Sequence, residues 1–189
     1  DGVRALADRI AGQGYVVLAV DLYGGETATD VAGARELMVN VVENAELANE
    51  NIRQAYQFLI DSGQAPKIAS LGWSFGGGWA LNVAMLFPEE LDAAVIYYGQ
   101  VTDSEERLAP VTAPILGLFG ENDRGVPADS VRAFESAMEK LGKEIEIEIY
   151  AGVGHAFADP QASNYNAEKA ELAWARVVAF LNQHLVASN

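Results

Sequence analysis

Four short apolar runs set between helical stretches constrain this chain more than any other feature. They are Tyr15-Val16-Val17-Leu18-Ala19-Val20-Asp21, Lys67-Ile68-Ala69-Ser70-Leu71, Leu91 to Tyr98 and Pro114 to Phe119. Each is nearly continuous in apolar residues, the pattern of a strand buried on both faces. In a fifth run, Ile145, Ile147 and Ile149 alternate with Glu146 and Glu148, which predicts a half-exposed strand nearer an edge. Helical spacing lies between the runs. Val3, Leu6, Ala7 and Ile10 fall on one face of a segment that ends at Gly12 and Gly14. Residues 34–62 read as helix in one or two pieces, with Ile52, Ala55, Tyr56 and Leu59 as their clearest stripe. A Gly- and Ala-rich helix runs to Phe87 and stops at Pro88. Residues 128–141 are amphipathic, and 167–185 present Trp174, Val177, Val178 and Leu181 on one side. Residues 22–33, 101–112 and 152–165 read as loops, the second with room for a short helix.

Strands alternating with helices imply an α/β fold, a mostly parallel sheet with helices on both faces. Repeats, low-complexity tracts and an interdomain linker are all missing, so residues 1–189 are expected to form a single domain. In such sheets ligands bind beyond the C-terminal strand ends. The chemistry is therefore to be sought just after each apolar run.

After the second run comes Gly72-Trp73-Ser74-Phe75-Gly76, a G-x-S-x-G pentapeptide. Chance alone puts this pattern in roughly a few per cent of chains this long, so the spelling by itself decides little. Its context is strand, sharp turn and helix. That context drives a serine hydroxyl out of the sheet at a helix N-terminus, where backbone N–H groups and the helix dipole suit a developing oxyanion.

A serine needs a base to become a nucleophile, and the chain has two histidines. His155 lies in the Gly-flanked segment Gly152-Val153-Gly154-His155-Ala156-Phe157 after the last strand. His184 lies at the polar end of the last helix and reads as a solvated helix-end residue. The bland reading of His155 is a loop histidine capping a turn. A carboxylate should hold the base's imidazole in the right tautomer. Asp123 follows the strand at 115–119, inside Asn122-Asp123-Arg124-Gly125-Val126-Pro127, and its bland reading is an Asx turn. Asp129 fits better as a helix cap or first-turn acid. Ser74, Asp123 and His155 each follow a strand, in the chain order of α/β-hydrolases. The three together are far more specific than any one of them.

Composition removes other classes. Lys and Arg number 12 against 27 Asp and Glu, a net charge of −15. Such a surface repels phosphate backbones and anionic bilayers, so no nucleic-acid or membrane partner is expected. There is no cysteine, which excludes disulfides, thiol catalysis and Cys-based metal sites. G-x-G-x-x-G and G-K-[ST] are absent, and the acidic turn at 121–129 lacks calcium-loop spacing. No cofactor and no metal are expected.

The chain resembles the dienelactone hydrolase family of α/β-hydrolases. The matching stretches are Gly14-Tyr15-Val16-Val17-Leu18-Ala19-Val20-Asp21-Leu22-Tyr23-Gly24, the elbow Gly72 to Gly78, Gly120-Glu121-Asn122-Asp123 with Val126-Pro127, and Gly154-His155-Ala156-Phe157. The resemblance implies Ser74 as nucleophile, Asp123 as orienting acid, His155 as general base and the Phe75 N–H as one oxyanion donor. Three departures stand out. Most relatives carry cysteine where this chain has Ser74. Dienelactone-cleaving members hold a substrate carboxylate with arginines, where this chain has Gly24, Gly25 and Glu26 in one place and Asp159 in the other. The family also has about three strands ahead of the first helix, which are missing from the sequence. The loop after one of them supplies the second oxyanion N–H. The α/β-hydrolase fold is therefore expected in an N-terminally truncated form. Either a further N-terminal segment exists in the functional molecule, or the run at 15–21 pairs with that at 67–73 in a smaller five-stranded sheet.

The leading expectation is a serine hydrolase that cleaves small carboxylic esters or lactones through an acyl-enzyme. The partner is a small, neutral ester substrate, with Trp73, Phe75, Tyr23, Tyr98 and Phe157 as candidate pocket walls. A peptidase or acyltransferase on the same fold and a catalytically inactive binding domain are the alternatives. A monomer or homodimer is expected, and the compartment is left open.

Overall fold

The three apolar runs beyond residue 67 and the alternating run at 145–150 assemble into a parallel sheet. The structure, a computed structural model, describes residues 2–186. The chain divides into two compact units, Asp1–Pro66 and Lys67–Asn189.

After α1 (Gly2–Ala11), α2 (Val31–Glu43) and α3 (Ala45–Asp61) of the first unit, the second unit carries β1 (Ala69–Trp73), α4 (Phe75–Leu86), β2 (Ala93–Tyr97), α5 (Glu105–Leu108), β3 (Ile115–Gly120), α6 (Ala128–Lys140), β4 (Ile145–Tyr150) and α7 (Ala167–Leu185). The four strands lie in the order β1-β2-β3-β4. All neighbours are parallel, with Trp73 opposite Tyr97, Tyr97 opposite Leu118 and Gly120 opposite Tyr150. Because strand order follows chain order, the strand ends reach one edge of the sheet in the sequence β1, β2, β3, β4. Each crossover needs a helix to return the chain. Helix α4 packs on β1 and β2, α7 on β2 and β3, and α6 on β3 and β4.

Burial follows the apolar pattern. Every residue of β2 and β3 is buried, each large aliphatic side chain there contributing about 1.5–3 kcal/mol of transfer free energy. The alternating strand β4 is half-buried along most of its length and lies at the sheet edge. Its Glu146 and Glu148 pair with Arg176 of α7, which puts charge along an edge otherwise open to pairing. The loop at 101–112 contains α5, capped by the Ser104 hydroxyl accepting from the Arg107 N–H.

The first unit holds α1 (Gly2–Ala11), α2 (Val31–Glu43) and α3 (Ala45–Asp61). The long helical stretch is thus two helices. Asp30 caps α2 by accepting from the Gly33 N–H at 2.8 Å, and the break falls at Asn44, whose ψ of 40° leaves the helix. In α3 the predicted stripe turns inward at Ile52, while Ala55, Tyr56 and Leu59 are half-buried.

One strand expected from the sequence does not form. Residues 15–20 form no regular secondary structure and have no ladder partners, and Val16, Leu18 and Val20 are exposed. The five-stranded sheet in which this run pairs with 67–73 is not formed either. An apolar run becomes a strand only where a neighbour takes its backbone N–H and C=O groups, and among the described residues none does. Asp21, which ends the run, instead organises a turn. Its carboxylate accepts from the Tyr23 and Gly25 N–H groups at 2.8 and 2.6 Å, and its carbonyl accepts from Asn51 Nδ2.

Candidate active site

Ser74 joins β1 to α4 with φ 52° and ψ −116°, a conformation that costs about 1–3 kcal/mol in a non-glycine residue. The surrounding backbone holds it there. The Ser74 N–H donates to the Tyr97 carbonyl at 2.9 Å, and the Ser74 carbonyl accepts from the Gly77 and Gly78 N–H groups at 3.0 and 3.2 Å. The turn is so tight that a Cβ on Gly72 would stand 2.0 Å from the Gly76 carbonyl oxygen. A Cβ on Gly76 would meet nothing within 4 Å. The first glycine of the pentapeptide is therefore needed for a close approach, whereas the last is not crowded.

The Ser74 hydroxyl reaches His155 Nε2 at 2.8 Å, and His155 Nδ1 reaches Asp123 Oδ2 at 2.7 Å. A carboxylate accepts only. The Nδ1 proton therefore points at Asp123, leaving the Nε2 lone pair to accept from the serine hydroxyl. The Asp123 side chain has no exposed surface, whereas that of His155 is 38% exposed. Asp123 also forms the turn that its bland reading foresaw. Its Oδ1 accepts from the Gly125 and Val126 N–H groups at 2.8 and 3.0 Å while Oδ2 takes the imidazole. Gln100 Nε2 donates to the Gly125 carbonyl and fixes the far side of that turn.

The His155 loop is registered against the end of β3. The Glu121 N–H donates to the Tyr150 carbonyl and the Asn122 N–H to the Val153 carbonyl. The Asn164 side-chain amide donates to the His155 carbonyl at 3.2 Å. Nothing in the periodicity of the sequence marks Asn164 or Gln100, since each acts across a loop.

The remaining expected site residues divide. Phe75 is the first residue of α4, with its ring edge-on to Trp79. Trp73 ends β1 half-buried and stacks on Tyr97 at 5.4 Å. Tyr23 lies in the Asp21 turn of the first unit, beside a cavity with Leu22, Val41 and Leu47. Tyr98 and Phe157 are almost wholly buried. They pack on each other at 5.6 Å and Tyr98 packs on His155 at 5.1 Å, so their rings lie against the histidine loop. Burial, with Asp159 adding to it, pushes the Tyr98 hydroxyl well above the usual tyrosine range. His184 is not at the site, nor is it solvated as expected. Its side chain is 14% exposed and packs on Phe180 at 4.5 Å, with Nε2 3.6 Å from Glu144. Among the described residues, no group of three or more His, Asp or Glu is placed to hold a metal ion.

A strained serine, an imidazole hydrogen-bonded to it and a buried carboxylate on the other ring nitrogen are thus brought together, and groups of these types so linked can activate a hydroxyl. The family model of the dienelactone hydrolases matches residues 1–185. The chain belongs to the dienelactone hydrolase family. Among its relatives, a protein of Saccharolobus solfataricus named as a carboxymethylenebutenolidase is 29% identical, over 97% of this chain and 84% of its own. A protein of the same name from Yersinia pestis is also 29% identical, over 98% of this chain and 74% of its own. The crystal structure of a dienelactone hydrolase-like promiscuous phosphotriesterase from metagenomic libraries superposes with a TM-score of 0.87 at 20% identity, covering 97% of this chain and 81% of the other. The fold is that of the α/β-hydrolases, and the protein is a carboxylic ester hydrolase by family.

Proposed function

We propose that this dienelactone hydrolase family member is a serine hydrolase of small, uncharged carboxylic esters or lactones. The observation that carries the reading is the unbroken hydrogen-bonded line from Asp123 through His155 to Ser74, at 2.7 and 2.8 Å. Ser74 Oγ attacks the carbonyl carbon as its proton passes to His155 Nε2. The oxyanion develops where the α4 N-terminus and the Phe75 N–H can receive it. Protonated Nε2 then gives its proton to the leaving alkoxide as the C–O bond breaks, and an acyl-Ser74 ester remains. Water, deprotonated by the same nitrogen, hydrolyses that ester and restores the hydroxyl. Asp123 keeps the ring in the required tautomer and faces the imidazolium when it forms.

The ester or lactone class is supported by the name that the relatives carry. The preference for neutral substrates rests on charge. The chain carries −15, and it has Glu26 and Asp159 in regions where the dienelactone-cleaving members of the family place arginines. The chemistry requires no cofactor.

The test is turnover of short-chain p-nitrophenyl esters beside the matching p-nitroanilides. Ester cleavage with little amide cleavage supports the reading. Comparable amide cleavage would mark a peptidase, and failure on both with an unreactive Ser74 would mark a binding domain.

A further inference from the structure

Three of the four strand ends supply the serine, the carboxylate and the histidine. The fourth, that of β2, supplies Tyr98. We propose that Tyr98 is a positioning residue for the base, its ring holding the His155 imidazole in line between Asp123 and Ser74 throughout the reaction. The proposal rests on the hydrolase reading above.

The backbone at Tyr98 takes φ 37°, a left-handed conformation that is strained for a bulky residue. Its N–H still donates to the Leu118 carbonyl at 2.8 Å, so the strand ladder continues through the strained residue. The ring is fully buried and meets three others edge-on: Tyr97 at 5.9 Å and 71°, Phe157 at 5.6 Å and 69°, and His155 at 5.1 Å and 62°. On the opposite loop, Ala156 also has a positive φ, of 60°. His155 and Phe157 flank that left-handed residue, and the Tyr98 ring contacts both. Two strained residues on two separate loops thus bring one ring against the imidazole.

The reaction makes this contact matter. In the resting state two hydrogen bonds fix the ring of His155. Once Ser74 Oγ is acylated, its hydroxyl proton is gone and the bond to Nε2 with it. The Asp123 bond alone then leaves the ring free to pivot, and the χ2 torsion of histidine is intrinsically broad. The Tyr98 contact involves no exchangeable proton and persists through both halves of the cycle. The titratable groups facing this pair are Asp123 on Nδ1 and Asp159 near the Tyr98 hydroxyl. Burial and Asp159 both keep that hydroxyl neutral, so the ring rather than the hydroxyl does the positioning.

The test compares Tyr98→Phe and Tyr98→Leu with wild type on a p-nitrophenyl ester. Tyr98→Phe should keep kcat within about twofold, while Tyr98→Leu should lower kcat about ten- to a hundredfold, as a small misplacement of a catalytic group does, with KM nearly unchanged. A second measurement uses the wild-type protein after phosphonylation of Ser74, which removes the serine hydrogen bond. Nuclear Overhauser contacts between the His155 and Tyr98 rings should survive it. The positioning role is overturned if Tyr98→Leu matches wild type, if Tyr98→Phe is as impaired as Tyr98→Leu, or if the ring contacts vanish on phosphonylation. Wild type that neither turns over esters nor reacts with the phosphonate would overturn the hydrolase reading instead, and this role with it.

Discussion

The two glycines of the Gly72–Gly76 pentapeptide should respond in opposite ways to the same added methyl group. A Cβ at position 72 would lie 2.0 Å from the Gly76 carbonyl oxygen, 2.3 Å from its carbon and 2.8 Å from the Gly77 nitrogen. All three are backbone atoms, so no rotamer change relieves the clash. Reaching the ~3.5 Å of ordinary contact requires the strand end and the first turn of α4 to part by about 1.5 Å. Ser74 sits between them, and its 2.8 Å bond to His155 cannot survive a displacement of that size. Gly72→Ala should therefore lose at least about 10²-fold in kcat/KM and destabilise the fold by about 1–3 kcal/mol or more, as overpacking does. Gly76 is the second residue of α4 with open space around it. Gly76→Ala should retain activity within a few-fold and gain about 0.4–1 kcal/mol from the lower entropy of the unfolded chain. Ester turnover and thermal melts on the three proteins suffice as the assay. Equal damage from the two substitutions, or an active and stable Gly72→Ala, would refute the packing argument.

Further outcomes follow from the same geometry. Asp123→Asn should lower kcat by about 10⁴-fold by disturbing the histidine tautomer, whereas Asp123→Ala should also cost about 1–3 kcal/mol, because the Gly125 and Val126 N–H groups lose their acceptor; melts of the two variants distinguish these effects. Turnover should fall on acidification, because a protonated base cannot take the serine proton; a rate indifferent to acid would contradict this. Burial raises the tyrosine pKa at Tyr98 and, to about 12, at Tyr150. These two hydroxyls should be absent from the tyrosinate absorbance step near pH 10 in the native protein. Because the folded value is raised, the stability present below pH 10 should be lost as pH climbs from there towards 12, which alkaline melts can read.

What the sequence made legible was what local pattern controls. Continuous apolar runs marked β2 and β3 because both faces of those strands are covered, and the Ile/Glu alternation marked β4 as a half-covered edge. Asp123 was readable both as a turn former and as a partner for the histidine, and its two oxygens divide accordingly, one accepting from the Gly125 N–H and the other bonded to the His155 ring. The run at 15–21 misled because hydrophobicity reports burial potential, while a ladder also needs a partner strand that the run itself does not specify. Tyr98 and Phe157 were legible only as aromatic residues near a nucleophile, a pattern that fits a pocket wall and core packing alike. The loops that carry the two rings have positive φ at Tyr98 and Ala156, and neither residue type announces such a conformation. His184 looked solvated from its place in a polar helix end, but its ring turns back onto Phe180 one turn earlier.

The proposed chemistry requires Ser74 to be an activated nucleophile. The direct measurement is peptide mass spectrometry after treatment with a fluorophosphonate, on wild type and on His155→Ala, at neutral pH. The geometry predicts a stoichiometric adduct on the peptide containing Ser74 in wild type and its near-complete loss in His155→Ala. No adduct on wild type, or an adduct elsewhere that is indifferent to His155, would contradict it.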